Sequence, residues 1–124
     1  MTATETQAVS EQLTRLERLL HATEYRRVFR RGKCFRDALL RIHVAPSPVA
    51  WPRLGLVASR KVGDAVRRNL LKRRLRHLFR TNKGALPGPF DVVIVLSPAS
   101  RDASFEELER IFRRFMEWLA EKVR

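Results

Sequence analysis

The sequence predicts an α+β fold, a single-domain sandwich in which helices pack on a small central sheet in the order α-β-β-α-β-α. Three observations lead to this prediction. The apolar spacing changes along the chain between the helical period and the period of two that is typical of strands. Residues 92–96 form a continuous apolar run, as expected for a strand covered on both faces. A length of 124 residues with 44% hydrophobic residues suits one domain with one core.

Two helices are predicted before the first strand. Ser10 can cap the first of them. Its leucines recur at helical spacing: Leu13, Leu16, Leu19 and Leu20. The second helix is predicted to begin at Thr23, whose hydroxyl can cap it, and to stop at Gly32. Residues 1–12 are polar and slightly acidic, so we expect a disordered extension there and a folded domain over residues 13–124.

A period of two from Cys34 to Val44 predicts one strand. One face would carry Ala38, Leu40, Ile42 and Val44, and the other Phe35, Leu39, Arg41 and His43. Three prolines at 46, 48 and 52 then interrupt regular structure. The second strand is predicted from Arg53 to Ser59.

Two longer helices are predicted in the second half, one on each side of the strand at residues 92–96. Asp64 can cap the first, which would extend to about Thr81 after a turn at Gly63. Ser104 and Glu107 have the spacing of a capping box for the second. Its apolar face is predicted to carry Phe105, Leu108, Phe112, Phe115 and Leu119.

The charge of the chain points to a polyanionic partner. There are 26 Lys and Arg residues against 13 Asp and Glu, a formal net charge of +13. Residues 60–80 alone hold nine basic residues and one acidic residue. At 100° per residue, one stripe of the predicted helix carries Asn69, Lys72, Arg73, Arg76 and Arg80, opposite its leucines. Neighbouring like charges repel, so phosphates are a natural partner, although a solvated face is the simpler alternative.

Several classes of function are not indicated. A single cysteine, Cys34, excludes an internal disulfide and a four-cysteine zinc site, and no set of residues suggests a catalytic nucleophile or a metal site in the protein. No apolar run approaches the length of a membrane span, and the start of the chain does not resemble a signal peptide. We therefore expect a cytoplasmic protein. Charge alone leaves the choice between DNA and RNA open.

Three segments together resemble the protein subunit of bacterial ribonuclease P. The main one is residues 53–79, RLGLVASRKVGDAVRRNLLKRRLRHLF, which carries that family's basic helix. Residues 24–32, EYRRVFRRG, match its aromatic first helix, and residues 90–98, FDVVIVLSP, match its last core strand. The resemblance covers about residues 19–119. It departs at Leu70, where a third basic residue is usual, and in the acidic N-terminus.

The resemblance implies a subunit that helps a catalytic RNA to remove the 5′ leader of precursor tRNA, with Mg²⁺ bound mainly by the RNA. It implies a left-handed crossover around the basic helix, and neither a membrane nor a protein partner. The residues implied to bind the RNA subunit are Arg60, Lys61, Arg68, Asn69, Lys72, Arg73, Arg76 and Arg80; Asn69 would also lie near the leader or its metal site. Those implied to bind the leader are Tyr25, Phe29, Arg41 and His43.

Alternatives remain at this stage. Phe29 and Tyr25 could be core residues, and His43 could be an ordinary strand residue. The rival functions are a non-catalytic protein that binds ribosomal or other structured RNA, and a binder of duplex DNA. The second is disfavoured because no helix directly precedes the basic one, as a helix-turn-helix would require.

Overall fold

In the computed structural model, which describes residues 13–123, three helices pack on a four-stranded mixed sheet. The elements are α1 (Ala22–Arg31), β1 (Lys33–Arg36), β2 (Leu40–Pro46), β3 (Arg53–Val57), α2 (Ala65–Asn82), β4 (Phe90–Leu96) and α3 (Phe105–Lys122). The strand order is β1-β2-β4-β3, and β4 runs antiparallel to β2 and parallel to β3. The predicted α+β class and the order of its main elements are confirmed. The left-handed sense of the β3-α2-β4 crossover stays a prediction.

The sheet separates two apolar clusters. Helices α2 and α3 cover one face, and the large side chains buried there include Leu75, Phe79, Phe112 and Phe115. Helix α1 covers part of the other face, where Val28 packs with Leu19, Ala45 and Val93. No helix among residues 13–123 is long and apolar enough to cross a membrane.

The predicted caps of the two long helices are confirmed. The Asp64 carboxylate accepts a hydrogen bond from the backbone N–H of Arg67 at 2.9 Å, at the start of α2. At the start of α3, Ser104 and Glu107 exchange hydrogen bonds of 3.0 and 3.1 Å. Each bond satisfies an N–H group that has no partner within the helix.

The predicted start of α1 at Thr23 is wrong. The helix begins at Ala22, with His21 in the N-cap position. The Glu24 carboxylate, rather than a threonine hydroxyl, accepts the backbone N–H groups of Leu20 and His21 at 2.8 and 2.9 Å. In a capping box, the glutamate at the third helical position accepts the backbone N–H of the N-cap residue in this way.

The predicted helix through the first four leucines is also wrong over the described residues. Only one short turn forms there, at Arg15–Glu17. The next residues are extended, and the Leu19 N–H donates to the Leu54 carbonyl at 2.9 Å. Leu13 and Leu19 are buried in different clusters, so the leucines do not form one helical face. Ser10 and the predicted disorder at residues 1–12 lie outside the described part of the chain.

The predicted strand from Cys34 to Val44 is a hairpin of two strands. The turn at residues 37–39 is closed by the Asp37 N–H, which donates to the Leu40 carbonyl at 2.9 Å, while the Asp37 carboxylate accepts from Leu39. Asp commonly stabilises turns in this way. Phe35 consequently lies opposite Ile42 and faces α3, so its predicted place beside His43 is wrong. The next strand, β3, ends at Val57 and not at Ser59.

Both ends of α1 are held firmly against the sheet. Near its start, Arg53 on β3 binds the fully buried Asp91 carboxylate through two hydrogen bonds of 2.8 and 2.9 Å and also binds Glu24 at 2.7 Å. Arg27 joins this network through Asp91 at 3.4 Å. At its end, Gly32 approaches β2 so closely that a Cβ atom there would lie 2.6 Å from the Val44 carbonyl oxygen.

Candidate nucleic-acid interface

Helix α1 crosses the strands of the sheet rather than running along them. Gly55 on β3 and His43 on β2 both pair with Val93 on β4, so the three residues form one row across the sheet. The Tyr25 ring lies on Gly55, where an added Cβ would come within 2.7 Å of it. The Phe29 ring meets His43 edge to face, with centroids 4.7 Å apart. Helix α1 therefore extends from β3 to β2 above this row.

The next row of the sheet is left open beside α1. It consists of Val57, Val95, Arg41 and Arg36, which are neighbours across all four strands. The two valines are half-buried and the two arginines are exposed. We call this row, together with the Phe29–His43 pair beside it, the shelf. On the opposite side of α1 the corresponding row is closed by the ion pairs of Arg53 and Asp91.

The shelf combines aromatic, apolar and cationic groups. Phe29 is 42% exposed, which excludes the alternative that it is a core residue. Burial lowers the pKa of His43, and the nearby charges of Arg41 and Arg36 lower it further. The imidazole is therefore neutral at neutral pH, and its ring can stack on a base while the arginines meet phosphates.

Tyr25 occupies a different environment from Phe29. It is half-buried, burial raises its pKa, and its hydroxyl donates to the Leu19 carbonyl at 3.4 Å. The ring also lines a cavity of about 190 Å³, to which Lys72 and Arg76 of α2 contribute. Tyr25 therefore lies where the β3 end of the shelf meets α2.

The predicted stripe of α2 is present in the structure. Leu71, Leu75, Leu78 and Phe79 are buried against the core. Asn69 and Arg73 are exposed, and the other three members of the stripe are half-buried: Lys72, Arg76 and Arg80. None of the stripe's cations forms an ion pair with a carboxylate of residues 13–123. The positive charge of this face is therefore not neutralised by the described part of the protein.

Arg18 adds a cation from the segment before α1. With Arg73, Arg76 and Arg80 it lines an open cavity of about 570 Å³, whose lining includes no carboxylate. Burial lowers the pKa of Arg76, and the charge of Arg18 lowers it further. A phosphate in this cavity would relieve the repulsion between the two guanidinium groups.

The remaining predicted residues lie in the turn before α2 and in the first part of α2. Arg60 and Lys61 are exposed in a short turn, Arg60–Val62, that joins β3 to α2. Arg68 is half-buried, and its Nε has no hydrogen-bond partner among residues 13–123. Sequence reasoning missed Arg18 and Arg36, because neither lies on the basic helix and their positions depend on the path of the chain before β2.

The described residues do not form a metal site. Among residues 13–123 there is no group of three His, Cys, Asp or Glu side chains close enough to hold an ion. The Cys34 sulfur lies 3.8 Å from His43 Nε2, but no carboxylate accompanies the pair. Mg²⁺ prefers several oxygen ligands, and this donor set does not offer them.

Comparison with known proteins gives consistent matches. The sequence model of the Ribonuclease P family matches residues 13–120. The chain is 37% identical over 103 residues to the ribonuclease P protein component of Thermotoga maritima, covering 83% of this chain and 85% of that protein. It is 40% identical over 105 residues to the component of a Nocardioides species, covering 82% and 90%.

Solved structures agree with these sequence matches. The RNase P protein from Thermotoga maritima superposes with a TM-score of 0.72 at 30% identity, covering 81% of this chain and 94% of that one. The RNase P protein of Staphylococcus aureus superposes with a TM-score of 0.75 over 84% and 94% of the two chains. At 20% identity the second match supports the fold alone.

Proposed function

This chain belongs to the ribonuclease P protein family, and from that premise we propose which RNA each of its two surfaces binds in the holoenzyme. The chain is the protein subunit of ribonuclease P, an endoribonuclease that matures the 5′ end of tRNA, and it associates with the ribonuclease P RNA. We propose that the stripe of α2 binds the RNA subunit and that the shelf binds the 5′ leader of precursor tRNA. The rival assignments, a binder of other structured RNA or of duplex DNA, find no support in these matches.

The proposed role of α2 rests on its unneutralised charge. The residues assigned to the RNA subunit are Arg60, Lys61, Arg68, Asn69, Lys72, Arg73, Arg76 and Arg80, to which the structure adds Arg18. Each cation that neutralises a phosphate releases condensed counterions, which makes binding favourable and dependent on salt. Leu70, where a third basic residue is usual, is half-buried and supplies no charge.

The proposed role of the shelf rests on the Phe29–His43 pair, in which Phe29 is exposed and His43 is half-buried. A single strand presents base faces that stack on aromatic rings, and each stacked base contributes about 1–3 kcal/mol. Arg41 and Arg36 stand beside the pair as phosphate ligands. A duplex cannot offer unpaired base faces, so this surface favours the leader over the folded body of tRNA.

The observation that carries the proposal is the junction of the two surfaces at Tyr25. Tyr25, Lys72 and Arg76 line one cavity, so an RNA subunit bound to α2 would lie next to the β3 end of the shelf. A leader emerging from the cleavage site of such a complex could enter the shelf there. We assign hydrolysis and its Mg²⁺ to the RNA subunit, because the described residues lack a suitable donor set, and we propose a cytoplasmic location.

The test is reconstitution with the matching RNA subunit. The protein should increase cleavage of precursor tRNA at low Mg²⁺ and should bind precursor more tightly than mature tRNA. Phe29→Ala should weaken precursor binding by about 1–3 kcal/mol, the value of one stacked base, and should leave mature tRNA unaffected. Trp51→Ala, which removes an aromatic ring 38% exposed outside the shelf, is the control. Equal losses for precursor and mature tRNA in Phe29→Ala would contradict leader binding by the shelf.

A further inference from the structure

The outward face of α1 carries a second concentration of positive charge, separate from α2. Arg26, Arg27, Arg30 and Arg31 together with Thr23 line an open cavity of about 630 Å³. No carboxylate contributes to this lining. Four arginines within a ten-residue helix are more than solubility of that helix requires.

Within the described part of the chain, only one of the four arginines has a structural partner. Arg27 binds the buried Asp91 carboxylate and donates to the Pro46 carbonyl at 2.8 Å. Arg26, Arg30 and Arg31 are exposed and form no ion pair or side-chain hydrogen bond with residues 13–123. We call these three residues the arginine array.

The charges of the array are not explained by the stability of α1. Arg30 and Arg31 lie in the last turn, where cations interact favourably with the helix dipole. Arg26 lies in the middle of the helix and is four residues from Arg30, a spacing at which like charges repel. An anionic ligand would remove this repulsion.

Arg30 and Arg31 of the array lie at the end of α1 that reaches β2, remote from α2, and Arg26 lies in the middle of the helix. Helix α1 starts above β3, near Tyr25, and reaches β2 at Phe29. Arg26 and Phe29 are three residues apart, about 60° around the helix, and Arg30 follows on the next turn. A strand that enters the shelf beside α2 and stacks on Phe29 would therefore leave it alongside Arg30, with Arg26 on the same side of the helix.

We propose that the arginine array binds the backbone phosphates of leader nucleotides that lie upstream of those held on the shelf. This inference rests on the proposed function, because it requires the leader to lie on the shelf. Four strands about 4.8 Å apart give the shelf a length of about 14 Å, enough for about four nucleotides at the 3.4 Å spacing of a stacked strand. The array therefore acts only on leaders longer than the shelf can hold.

The experiment compares holoenzymes assembled with wild-type protein and with Arg26→Ala/Arg30→Ala, using precursor tRNAs with leaders of increasing length. For short leaders the two should bind equally. For long leaders the variant should bind about tenfold more weakly at 0.15 M salt, with a log–log salt slope smaller by about 1.4, since each phosphate contact on a single strand contributes about 0.7. Alanine favours helix, so the variant should keep the thermal stability of the wild type.

Matched variants separate the possible outcomes. Arg110→Ala/Arg113→Ala removes two exposed charges from α3, and a loss equal to that of the array variant would show a general effect of net charge and overturn the proposal. Equal losses for short and long leaders, or weaker binding of the RNA subunit alone, would place the array on the RNA subunit and overturn it as well. If Phe29→Ala weakens leader binding and the array variant does not, the array proposal fails while the shelf proposal stands. If Phe29→Ala has no effect on the leader, the proposed function itself fails.

Discussion

Replacement of three cations of α2 tests the binding of the RNA subunit most directly. Lys72→Ala/Arg73→Ala/Arg76→Ala removes residues that share one face and form no ion pair with the described carboxylates, so each is available to a phosphate. At about 0.7–0.9 per contact, the log–log salt slope should fall by about 2–3. The same loss corresponds to about hundredfold weaker binding at 0.15 M salt.

Arg76 should contribute the largest single effect of the three. Burial and the charge of Arg18 lower its pKa, so a phosphate relieves an unfavourable environment there in addition to releasing counterions. The assay is a titration of the RNA subunit with protein at several salt concentrations. Arg110→Ala/Arg113→Ala/Lys122→Ala on α3 removes the same number of charges, all of them exposed, and serves as the control. A slope unchanged in the α2 variant, or reduced equally in the control, would refute α2 as the docking surface.

Three further predictions concern the packing of α1 on the sheet. Gly55→Ala would place a methyl group 2.7 Å from the rigid Tyr25 ring, so the free energy of unfolding should fall by about 1–3 kcal/mol in urea titrations. An unchanged value would show that α1 can move away from β3 without loss of stability. Asp91→Ala leaves the Arg53 guanidinium without its main partner in a buried site, so the free energy of unfolding should fall by about 3–5 kcal/mol in the same measurement. A fall of less than about 1 kcal/mol would show that Glu24 alone holds Arg53. The pKa of His43 in the folded protein lies below its ordinary value of 6.5, so the unfolded chain takes up the proton first as the pH falls. The contribution of this group to stability is therefore lost as the pH falls through about 6.5. His43→Phe should remove this part of the pH dependence of thermal melting, and identical pH profiles for variant and wild type would contradict the prediction.

The second half of the fold could be predicted closely from the sequence. The caps at Asp64 and Ser104 use local hydrogen bonds between residues three apart, so short sequence patterns were sufficient to find them. The basic stripe of α2 was likewise visible, because helical periodicity alone determines which side chains share a face. Both features depend on neighbours in the sequence and not on the rest of the molecule.

The first half could be predicted only in part, because long-range contacts determine it. The spacing of the first leucines is helical, yet pairing of this segment with Leu54 on β3 keeps it extended. The turn at Asp37 contains no glycine or proline, so the sequence pattern predicts one strand where the structure has a hairpin. That error hid the cross-strand pairing of Arg36 with Arg41, and with it one cation of the shelf.

If the shelf binds the leader as proposed, two contacts that restrain α1 determine the surface that the leader meets. The buried ion pairs of Asp91 hold one end of the helix, and at the other end Gly32 packs directly against the Val44 carbonyl oxygen. Both contacts restrain the position of helix α1 and, with it, the width of the shelf. Under the proposed function the free protein is preorganised for a single strand, and the entropy lost on association would fall on the RNA rather than on the protein. Variants that loosen either restraint should weaken leader binding even though the rings and arginines of the shelf are all retained.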